Sequence, residues 1–462
     1  MQFAIVIMAA GKGTRLKSKR AKVLHEAGGK TLLRHVTDAA RQVVPPEDIY
    51  IIVGHQAEQV QSSLGRLGVN FVRQTEQRGT GHAIQQARDA VSRYENIIVL
   101  SGDAPLIRPE TILQMRDFHL AQRSSMTVLT AFPENPFGYG RVVRRTEDAE
   151  QVQAIIEQKD LTPEQTSMGE INSGFYVFRR EPLYAHIDEL ESKNAQAEFY
   201  LTDMAGILTA AGERVTAIKA ADPDEVLGAN TMEEMMDLDG RLRRRSAQIL
   251  MSKGVTIFRP ETTVIDADVT VGADTVIEPF VQLLGETKVG QDCRIRSYSV
   301  IENSTLGDRV LVRNGCTITQ STIGDGAFIG PYAHLRPDSE IGEGAHVGNF
   351  VETKNVRMGK GSKANHLTYL GDAQIGSQVN IGAGVITCNY DGVNKNPTVI
   401  GDRVFVGSDS TLVAPVELGS GSYVAAGSCI TEDVPEDALA LARARQTIKP
   451  GWAKMRRAKH TK

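Results

Sequence analysis

The chain has 462 residues, of which 41% are hydrophobic and 23% charged, and its net charge is −4. This length predicts two or three domains, and the charge balance gives no general electrostatic reason to expect nucleic-acid binding. No apolar run reaches about 18 residues, so we expect no transmembrane helix and no stable membrane insertion. The four cysteines (Cys293, Cys316, Cys388, Cys429) lie far apart, which argues against a zinc site or disulfide framework and favours a cytoplasmic protein.

The first half of the chain alternates apolar runs with amphipathic segments. Residues 3–8, 49–53, 69–72, 96–102 and 125–131 are continuous apolar runs, which predict strands buried on both faces. This alternation is typical of an α/β fold with a mainly parallel, Rossmann-like sheet. The first run follows no basic region and leads into a glycine-rich loop. We therefore interpret it as a buried strand rather than a signal peptide.

A helix is predicted over residues 231–250, as a solvated connection between two domains. Thr231 and Glu234 have the spacing of a capping box, and Gly254 follows the expected end. The sequence thus predicts domains over residues 1–230 and 251–440, joined by this helix.

The second half repeats with a period of six. Residues 251–462 hold 25 of the 43 glycines. Aliphatic residues recur every sixth position in four runs: Ile265, Val271, Ile277, Leu283, Val289, Ile295 and Ile301; Ile323, Ile329, Leu335, Ile341 and Val347; Ile375 and Ile381; Ile400, Val406, Leu412, Leu418, Val424 and Ile430. Such hexapeptide repeats build parallel β-helices. We expect the aliphatic side chains to point inward, and the glycines that follow them to serve turns needing a left-handed backbone or a close approach. Residues 388–398 break the period and predict an extruded polar loop.

The loop after the first strand has the residue types of an anion-binding site. In AAGKGTRLKSKRAK, Gly11 and Gly13 allow backbone N–H groups to approach an anion, and Arg15 and Lys22 add positive charge. The spacing is neither that of a Walker A loop nor that of a dinucleotide fingerprint. Asp103, in SGDAPL at the end of another apolar strand, is either a ligand for Mg²⁺ shared with substrate phosphates or a helix N-cap.

Seven segments together carry a resemblance. AAGKGTRLKSKRAK, QTEQRGTGHA, SGDAPL, GYGR, EINSG, EFYLTD and GAN resemble the sugar-1-phosphate nucleotidyltransferases. Most closely they resemble the uridylyltransferase half of the bacterial bifunctional UDP-N-acetylglucosamine pyrophosphorylase and glucosamine-1-phosphate N-acetyltransferase family. This resemblance implies transfer of uridylyl from UTP to N-acetylglucosamine-1-phosphate with release of pyrophosphate. It implies no protein nucleophile, because in-line attack needs alignment and charge neutralisation instead.

The resemblance implies four groups of residues in this half. The nucleotide-binding residues are Ala9, Ala10, Gly11, Gly13, Gln74, Gly79 and Thr80; the phosphate-holding cations are Arg15 and Lys22; the sugar-phosphate residues are Gly140, Glu157, Asn172, Thr202 and Asn230; the Mg²⁺ ligands are Asp103 and Asn230. The alternatives are that Gly140 is only a turn glycine and that Glu157 and Asn172 are surface polar residues. The chain departs from the family pattern at Ala21, Thr31, Ser101 and Arg78, which bears on kinetic detail rather than on reaction type.

Five segments of the second half resemble the acetyltransferase half of the same family. They are RPDSEIGEGAHVGNFVETKN, KANHLTYLGD, NIGAG, ITCNYDG and GSDS. The resemblance implies a left-handed β-helix in which His366 is the general base for acetyl transfer from acetyl-CoA to glucosamine-1-phosphate. It implies that the sugar phosphate contacts Arg336, Lys354, Tyr369, Asn380, Asn389, Tyr390 and Lys395, and that acetyl-CoA contacts Ala383, Ser408, Ala426 and Arg443. We interpret Cys388 as incidental to catalysis.

The C-terminal segment 441–462 is a basic arm. By the same resemblance it helps to complete an acyl-CoA site between subunits of a homotrimer. Beyond about residue 455 we expect a solvated, disordered tail.

The sequence therefore predicts a bifunctional cytoplasmic transferase whose product feeds cell-wall peptidoglycan and lipopolysaccharide precursors. Two alternatives remain open. In one, the chain is only a uridylyltransferase and the β-helix is an oligomerising scaffold. In the other, the β-helix binds a partner protein and is catalytically dead.

Overall fold

The computed structural model describes residues 2–145 and 150–459. The chain divides into two compact units, Met1–Leu242 and Arg243–Lys462, and the division falls inside one long helix. Within the described residues, no helix has both the length and the apolar character needed to cross a membrane.

The first unit is built on one large sheet and a small hairpin. Its strands are β1 (Phe3–Ala9), β2 (Glu26–Ala27), β3 (Lys30–Thr31), β4 (Ile49–Val53), β5 (Asn70–Arg73), β6 (Asn96–Ser101), β7 (Met126–Ala131), β8 (Arg141–Arg144), β9 (Val152–Ile156), β10 (Ile171–Arg179) and β11 (Val215–Lys219). The order across the large sheet is β11-β7-β10-β6-β1-β4-β5, and β8 and β9 extend it as a side branch. The five apolar runs singled out in the sequence are all strands of this sheet.

The main path of the sheet is mostly parallel, as expected, and β10 is the one strand of that path with the opposite direction. Strands β4, β5 and β6 join β1 through parallel pairs, and β11 pairs in parallel with β7. Strand β10 lies between β6 and β7 and is antiparallel to both. A buried strand is equally apolar in either direction, so its hydrophobic pattern carries no information about its orientation.

Helices cover both faces of this sheet. They are α1 (Leu32–Ala40), α2 (Ala57–Leu64), α3 (Thr80–Gln86), α4 (Pro109–Gln122), α5 (Arg180–His186) and α6 (Met204–Ala210), followed by α7 (Met232–Ser252). Helix α1 shows why they pack there. Leu33, Val36 and Ala40 lie on one face at helical spacing and are fully buried, while Thr31 caps the first turn.

Helix α7 begins with a variant of the capping box. The Thr231 hydroxyl accepts a hydrogen bond from the Glu234 N–H at 3.2 Å. The Glu234 carboxylate accepts one from the Asn230 N–H at 2.6 Å, one residue earlier than in the standard pattern. Gly254, with φ of +91°, follows the end of the helix.

The second unit consists of short strands, β12 to β39 in chain order. They are Thr256–Ile257, Val264–Ile265, Thr270–Val271, Val276–Ile277, Gln282–Leu284, Lys288–Val289, Arg294–Ile295, Val300–Glu302, Thr305–Leu306, Leu311–Val312, Thr317–Thr319, Thr322–Ile323, Phe328–Ile329, His334–Leu335, Ser339–Ile341, His346–Asn349, Glu352–Met358, Lys363–His366, Tyr369–Ile375, Asn380–Ile381, Ile386–Cys388, Thr398–Ile400, Phe405–Val406, Thr411–Val413, Val416–Leu418, Tyr423–Val424, Cys429–Ile430 and Leu439–Ala440.

These strands pair only in parallel and form the walls of a left-handed β-helix. Leu283 pairs with Ile265 one coil before it and with Ile301 one coil after it. Every aliphatic residue of the predicted hexads is buried. Some coils have 17 residues instead of 18, as between Ile301 and Ile318, which explains why the six-residue register of the sequence shifts. Near the polar loop the inward positions are filled by Thr353 and Thr387 instead of aliphatic residues.

The glycines that follow the aliphatic residues allow neighbouring coils to approach closely, and most of them do not have a left-handed backbone. At Gly272, a Cβ atom would lie 2.6 Å from the backbone nitrogen of Gln291 on the next coil, so no larger residue fits. Of these glycines only Gly330 has a positive φ. The left-handed corners are mostly filled by other residues, such as Asp274 and Phe280. Neighbouring coils therefore stack tightly because these glycines lack a side chain.

The C-terminal segment leaves the β-helix after Ala440 and ends in the basic helix α8 (Trp452–Lys459). The expected disorder beyond residue 455 is therefore wrong as far as Lys459. Residues 460–462 lie outside the described residues.

Candidate active sites

A cavity of about 490 Å³ opens in the first unit at the carboxyl ends of strands β1 and β6. Ligands of open α/β sheets bind at this edge. The predicted residues that line it are Ala9, Ala10, Gly11, Gly13, Lys22, Gln74, Gly79, Thr80 and Asp103. Lys12, Ser101 and Glu198 also line it, although the sequence analysis did not assign them a role.

The glycine loop lies against Lys22. Gly13 has φ of +61°, and a Cβ atom there would lie 2.6 Å from the Lys22 Cβ. Only glycine allows the loop to turn while Lys22 passes beneath it. The loop thus brings its backbone and a cation to the same wall of the cavity.

Lys22 joins two oxygen-bearing side chains at the edge of this cavity. Its ammonium forms a salt bridge with Asp103 and donates to the Asn230 side-chain oxygen at 3.0 Å. Arg15 donates to the same oxygen at 2.8 Å. The N-cap of α4 is Arg108, so Asp103 is not a helix cap. The structure thus brings Arg15, Lys22, Asp103 and Asn230 into one cluster.

The charge state of Asp103 follows from these contacts. Burial by itself raises the pKa of the Asp103 carboxyl, but the Lys22 ammonium and a hydrogen bond from the Ser101 hydroxyl at 2.8 Å outweigh it and lower the pKa overall. Asp103 is therefore ionised at neutral pH and available to a cation.

Gln74, Gly79 and Thr80 form the far wall of the cavity. The Gln74 amide donates to the Gly79 carbonyl at 3.1 Å and contacts His82 Nδ1 at the same distance. The Thr80 hydroxyl accepts from the Leu201 N–H at 2.9 Å. These three contacts fix the Gln74 and Thr80 side chains at the cavity.

A second group of predicted residues lies beside, and not in, the lining of this cavity. Asn172 is buried, and its N–H donates to the Gly140 carbonyl at 2.9 Å. Thr202 donates to the Glu157 carboxylate at 3.0 Å, and burial raises the pKa of that carboxyl. A Cβ on Gly140 would lie 3.6 Å from this carboxylate. Glu157 and Asn172 are thus partly or largely enclosed and not simple surface residues.

In the second unit, cations gather where the polar loop leaves the β-helix. Lys395 approaches Lys354 closely enough to lower the pKa of the Lys354 ammonium, and Arg336 adds to the effect. Like charges this close are costly unless an anion neutralises them. Arg336 is also held by Glu352 at 2.8 Å.

Asp372 is a second acid in this cluster, beside Glu352. Burial raises the pKa of its carboxyl, but hydrogen bonds from Asn355, at 2.6 Å, and Asn389, together with the two lysines, lower it overall. The hydroxyl of Tyr369 and the amide of Asn389 both lie within 3 Å of where a Cβ of Gly371 would be. The absence of that Cβ keeps the space between them open.

His366 is exposed on a corner of the β-helix and is held from one side. Its Nδ1 lies 2.6 Å from the Asn349 side-chain oxygen on the preceding coil. Because that oxygen can only accept, it holds the proton on Nδ1 and leaves Nε2 unprotonated in the neutral ring.

The predicted acetyl-CoA residues form one column on successive coils beyond His366. The Asp409 N–H donates to the Ala383 carbonyl, the Gly427 N–H to the Ser408 carbonyl, and the Arg443 guanidinium to the Ala426 carbonyl, each at 2.8 Å. The basic arm thus begins at this column. Asn380 lies in register with Lys363, and Tyr390 bridges to Lys395 within the polar loop.

Sequence reasoning missed Asn349 and Asp372. Asn349 precedes His366 by 17 residues, the length of one short coil, whereas the six-residue period of the sequence predicts 18. Asp372 is the last residue of the quoted motif KANHLTYLGD, but the motif assigned it no role, because its interactions are with Lys354 one coil earlier and with Lys395 on the loop.

Comparisons with known proteins agree with this division. The family model of the MobA-like NTP transferase domain matches residues 5–198. The model of the bacterial transferase hexapeptide (six repeats) matches residues 268–303 and 321–355, and that of the hexapeptide repeat of succinyl-transferase matches residues 397–432.

Three relatives match along nearly their whole lengths. The bifunctional protein GlmU of Koribacter versatilis is 60% identical, with 100% of this chain and 98% of the relative covered. Those of Solibacter usitatus and Trichlorobacter lovleyi are 50% and 46% identical over 98% of this chain, with 97% and 98% of the relatives covered. The chain belongs to the bifunctional GlmU family.

Membership of the GlmU family confirms the predicted resemblance, fold class and enzyme type. The chain is a bifunctional transferase of UDP-N-acetylglucosamine synthesis, with uridylyltransferase and acetyltransferase activities. Nucleotide and acetyl-CoA are its co-substrates. The alternatives in which the β-helix is only a scaffold or a binding module do not agree with this membership.

Proposed function

We propose that the cavity of the first unit is the site of uridylyl transfer, and that the surface around His366, Lys354 and Lys395 is the site of acetyl transfer. The observation that supports this most directly is that the same unit holds a close pair of lysines and a histidine whose Nδ1 is paired with Asn349, while its Nε2 makes no hydrogen bond to any described residue. Two adjacent cations match the dianion of glucosamine-1-phosphate, and a neutral imidazole matches its amine.

In the acetyl site, the neutral amine nitrogen of glucosamine-1-phosphate attacks the thioester carbonyl of acetyl-CoA, and Nε2 of His366 takes one proton from that nitrogen as the C–N bond forms. The C–S bond then breaks, and the leaving thiolate of CoA receives this proton from the imidazolium. Asn349 keeps the imidazole in the tautomer that can accept at Nε2. Arg336, Lys354 and Lys395 hold the sugar phosphate, and the column from Ala383 to Arg443 holds acetyl-CoA. No thiol of the protein takes part.

In the uridylyl site, a phosphate oxygen of N-acetylglucosamine-1-phosphate attacks the α-phosphorus of UTP, and the bond to pyrophosphate breaks. Arg15 and Lys22 neutralise the charge that develops on the phosphates. Gln74, Gly79 and Thr80 hold the base, whereas Gly140, Glu157, Asn172 and Thr202 hold the sugar.

The residues at Asp103 and Asn230 fit Mg²⁺. They present one carboxylate and one amide oxygen to the same point, and the Lys22 ammonium takes up the position of a cation between them. Mg²⁺ prefers oxygen ligands and needs few from protein when phosphates supply the others. We propose that these two residues hold it, and that it polarises the α-phosphate when bound. A cytoplasmic location belongs to the same proposal, because UTP and acetyl-CoA are made there.

The test is a substrate panel in which release of CoA and release of pyrophosphate are measured separately. We expect CoA release only with glucosamine-1-phosphate and pyrophosphate release only with N-acetylglucosamine-1-phosphate and UTP. CoA release without pyrophosphate release, or the reverse, would remove one of the two site assignments.

Replacing Lys395 with methionine is expected to raise the KM for glucosamine-1-phosphate by roughly tenfold or more while kcat changes little, since a charge-assisted hydrogen bond to phosphate is lost. The loss of the neighbouring charge also raises the pKa of Lys354, so binding should persist to higher pH than in the parent enzyme. Steady-state kinetics from pH 7 to pH 10 measure both effects. Lys360→Met, which removes an exposed lysine paired with Glu343, is the matched control.

The homotrimer is a further part of this proposal, supported by an exposed aromatic column. The column consists of Phe280, Tyr298, Tyr332, Phe350 and Leu367, each with a positive φ and about half or more of its surface exposed. Phe280 stacks on Tyr298 and Tyr332 on Phe350, with ring centroids 5.2 and 5.7 Å apart. Exposed apolar surface of this extent marks an interface, and a second copy of the chain would cover it beside His366.

A mass measurement by analytical ultracentrifugation tests this. We expect a species of three 50.3-kDa chains, and a monomer for the double variant Tyr332→Asp, Phe350→Asp, because two charges cannot be buried in an apolar interface. A parent protein that is monomeric at micromolar concentration would contradict the trimer.

A further inference from the structure

A second cavity, of about 560 Å³, lies in the first unit away from the uridylyl site. It is slightly larger than the catalytic cavity and within the range of small-molecule sites. Neither reaction uses any residue that lines it. Strand β6 connects the two, since Asn96 at its start lines this cavity and Ser101 at its end lines the catalytic one. A six-residue strand is about 17–20 Å long, so the two cavities are at opposite edges of the sheet.

The floor of this cavity carries buried polar groups with hydrogen-bonding capacity to spare. Asn96 is 5% exposed, and within residues 2–145 and 150–459 its side-chain amide has no hydrogen-bond partner. His119 is 2% exposed, and its Nδ1 is paired with the Thr127 hydroxyl at 2.8 Å. Its other ring nitrogen makes no hydrogen bond to the described part of the chain. Among the described residues, neither the Asn96 amide nor this His119 nitrogen is a fully enclosed polar atom, so both are open to the cavity and available to a ligand.

The rim of the cavity carries arginines that are not all neutralised. Arg93 is paired with Asp48 and Arg179 with Glu213. Arg180 donates through Nε to the Tyr94 carbonyl at 2.8 Å, which leaves the two terminal nitrogens of its guanidinium. Arg123, at the end of α4, forms no ion pair with any described residue. Two guanidinium groups with free donors are suited to a phosphate, which they can bind in a bidentate manner.

Two carboxylates complete the lining. Glu95 and Glu181 lie at the cavity and form no ion pair within the described residues. A ligand that carried only negative charge would be repelled by them. Hydroxyl groups, in contrast, can donate to carboxylates while a phosphate on the same molecule accepts from the arginines. Asn96 and His119 add further partners for hydroxyls on the floor.

We propose that this cavity is a binding site for a phosphorylated sugar, distinct from both substrate sites. The phosphate is held by Arg123 and Arg180, and the hydroxyls are held by Asn96, His119 and the two glutamates. The buried amide and the half-used imidazole, both in a cavity of suitable volume, carry this assignment.

Calorimetric titration of the whole protein with glucose 6-phosphate tests the proposal. The titration is made with UDP-N-acetylglucosamine at saturation, so that the uridylyl cavity is filled. We expect one saturable site with a Kd of about 1 mM or tighter. Glucose and inorganic phosphate, titrated separately, should each bind more weakly, because each satisfies only part of the lining.

Two variants distinguish this site from the two proposed substrate sites. Arg123→Glu should weaken binding of glucose 6-phosphate at least about tenfold through charge reversal. Its melting temperature without ligand should be unchanged, since Arg123 is exposed. Lys395→Met should leave the Kd unchanged. No binding at 10 mM ligand, a Kd unaffected by Arg123→Glu, or a Kd weakened by Lys395→Met would each overturn the proposal. Equal affinity for inorganic phosphate would overturn its sugar component.

Discussion

Replacing His366 with asparagine is expected to lower the rate of CoA release by about 10²- to 10⁴-fold, the usual contribution of a general base. Asparagine keeps the size and polarity of the side chain but cannot take a proton from the amine. Release of pyrophosphate from UTP and N-acetylglucosamine-1-phosphate should remain at the parent rate, because His366 belongs to the other unit. The two rates are measured in separate assays on the same preparation.

His334→Asn is the matched control for this experiment. His334 is an exposed histidine on an earlier strand of the same β-helix, and the proposed mechanism gives it no role. An acetylation rate that is unchanged in His366→Asn would contradict the assignment of the base. A rate lowered equally in both variants would point to a general change of the β-helix instead.

Replacing Asp103 with asparagine is expected to lower the rate of pyrophosphate release by about 10²- to 10³-fold, and to weaken Mg²⁺ binding, while CoA release stays unchanged. The substitution removes the negative charge that Lys22 and Ser101 hold in the ionised form. The Mg²⁺ concentration at half-maximal rate gives one readout, and calorimetric titration with Mg²⁺ in the presence of a non-hydrolysable UTP analogue gives a second.

Asp117→Asn serves as the control for the loss of one carboxylate, because Asp117 is exposed on α4 and paired with Arg116. If Asp103→Asn kept its Mg²⁺ affinity and lost only rate, the metal would be held elsewhere. If it kept both, Asp103 would have a structural role limited to its contact with Lys22.

The sequence predicted the β-helix in detail because its physical cause is local. Inward aliphatic residues at six-residue spacing recur in most coils, and a glycine follows one of them where neighbouring coils approach closely, so both repeat in the chain. The direction of β10 could not be predicted, because apolar content is the same in both directions. Likewise the pairing of Asn349 with His366 depends on coils of 17 residues, which the six-residue period does not reveal.

The family resemblance predicted more of the candidate site residues than any single sequence pattern could. Gln74 and Asn230 carry no signal of their own, and only quoted motifs brought them into the prediction. Their neighbours in the structure explain why they occur there. Asn230 accepts from two cations, and Gln74 contacts Gly79, whose φ of +109° few residues but glycine adopt. The sequence did not predict residues such as Asp372, whose role depends on the side chains that they contact.

The stacking of the coils also determines the order in which the second unit would lose its two proposed binding sites as it unfolds. Each coil contacts only the coils before and after it, so stability is a sum of terms between neighbours, and opening begins at a free end. The column of Ala383, Ser408 and Ala426 ends at Arg443, close to the last strand. The proposed sugar-phosphate residues Arg336 and Lys354 lie several coils further from that end. If the proposed sites are correct, gradual opening from the C-terminal end removes acetyl-CoA binding first, while Arg336 and Lys354 are still in place.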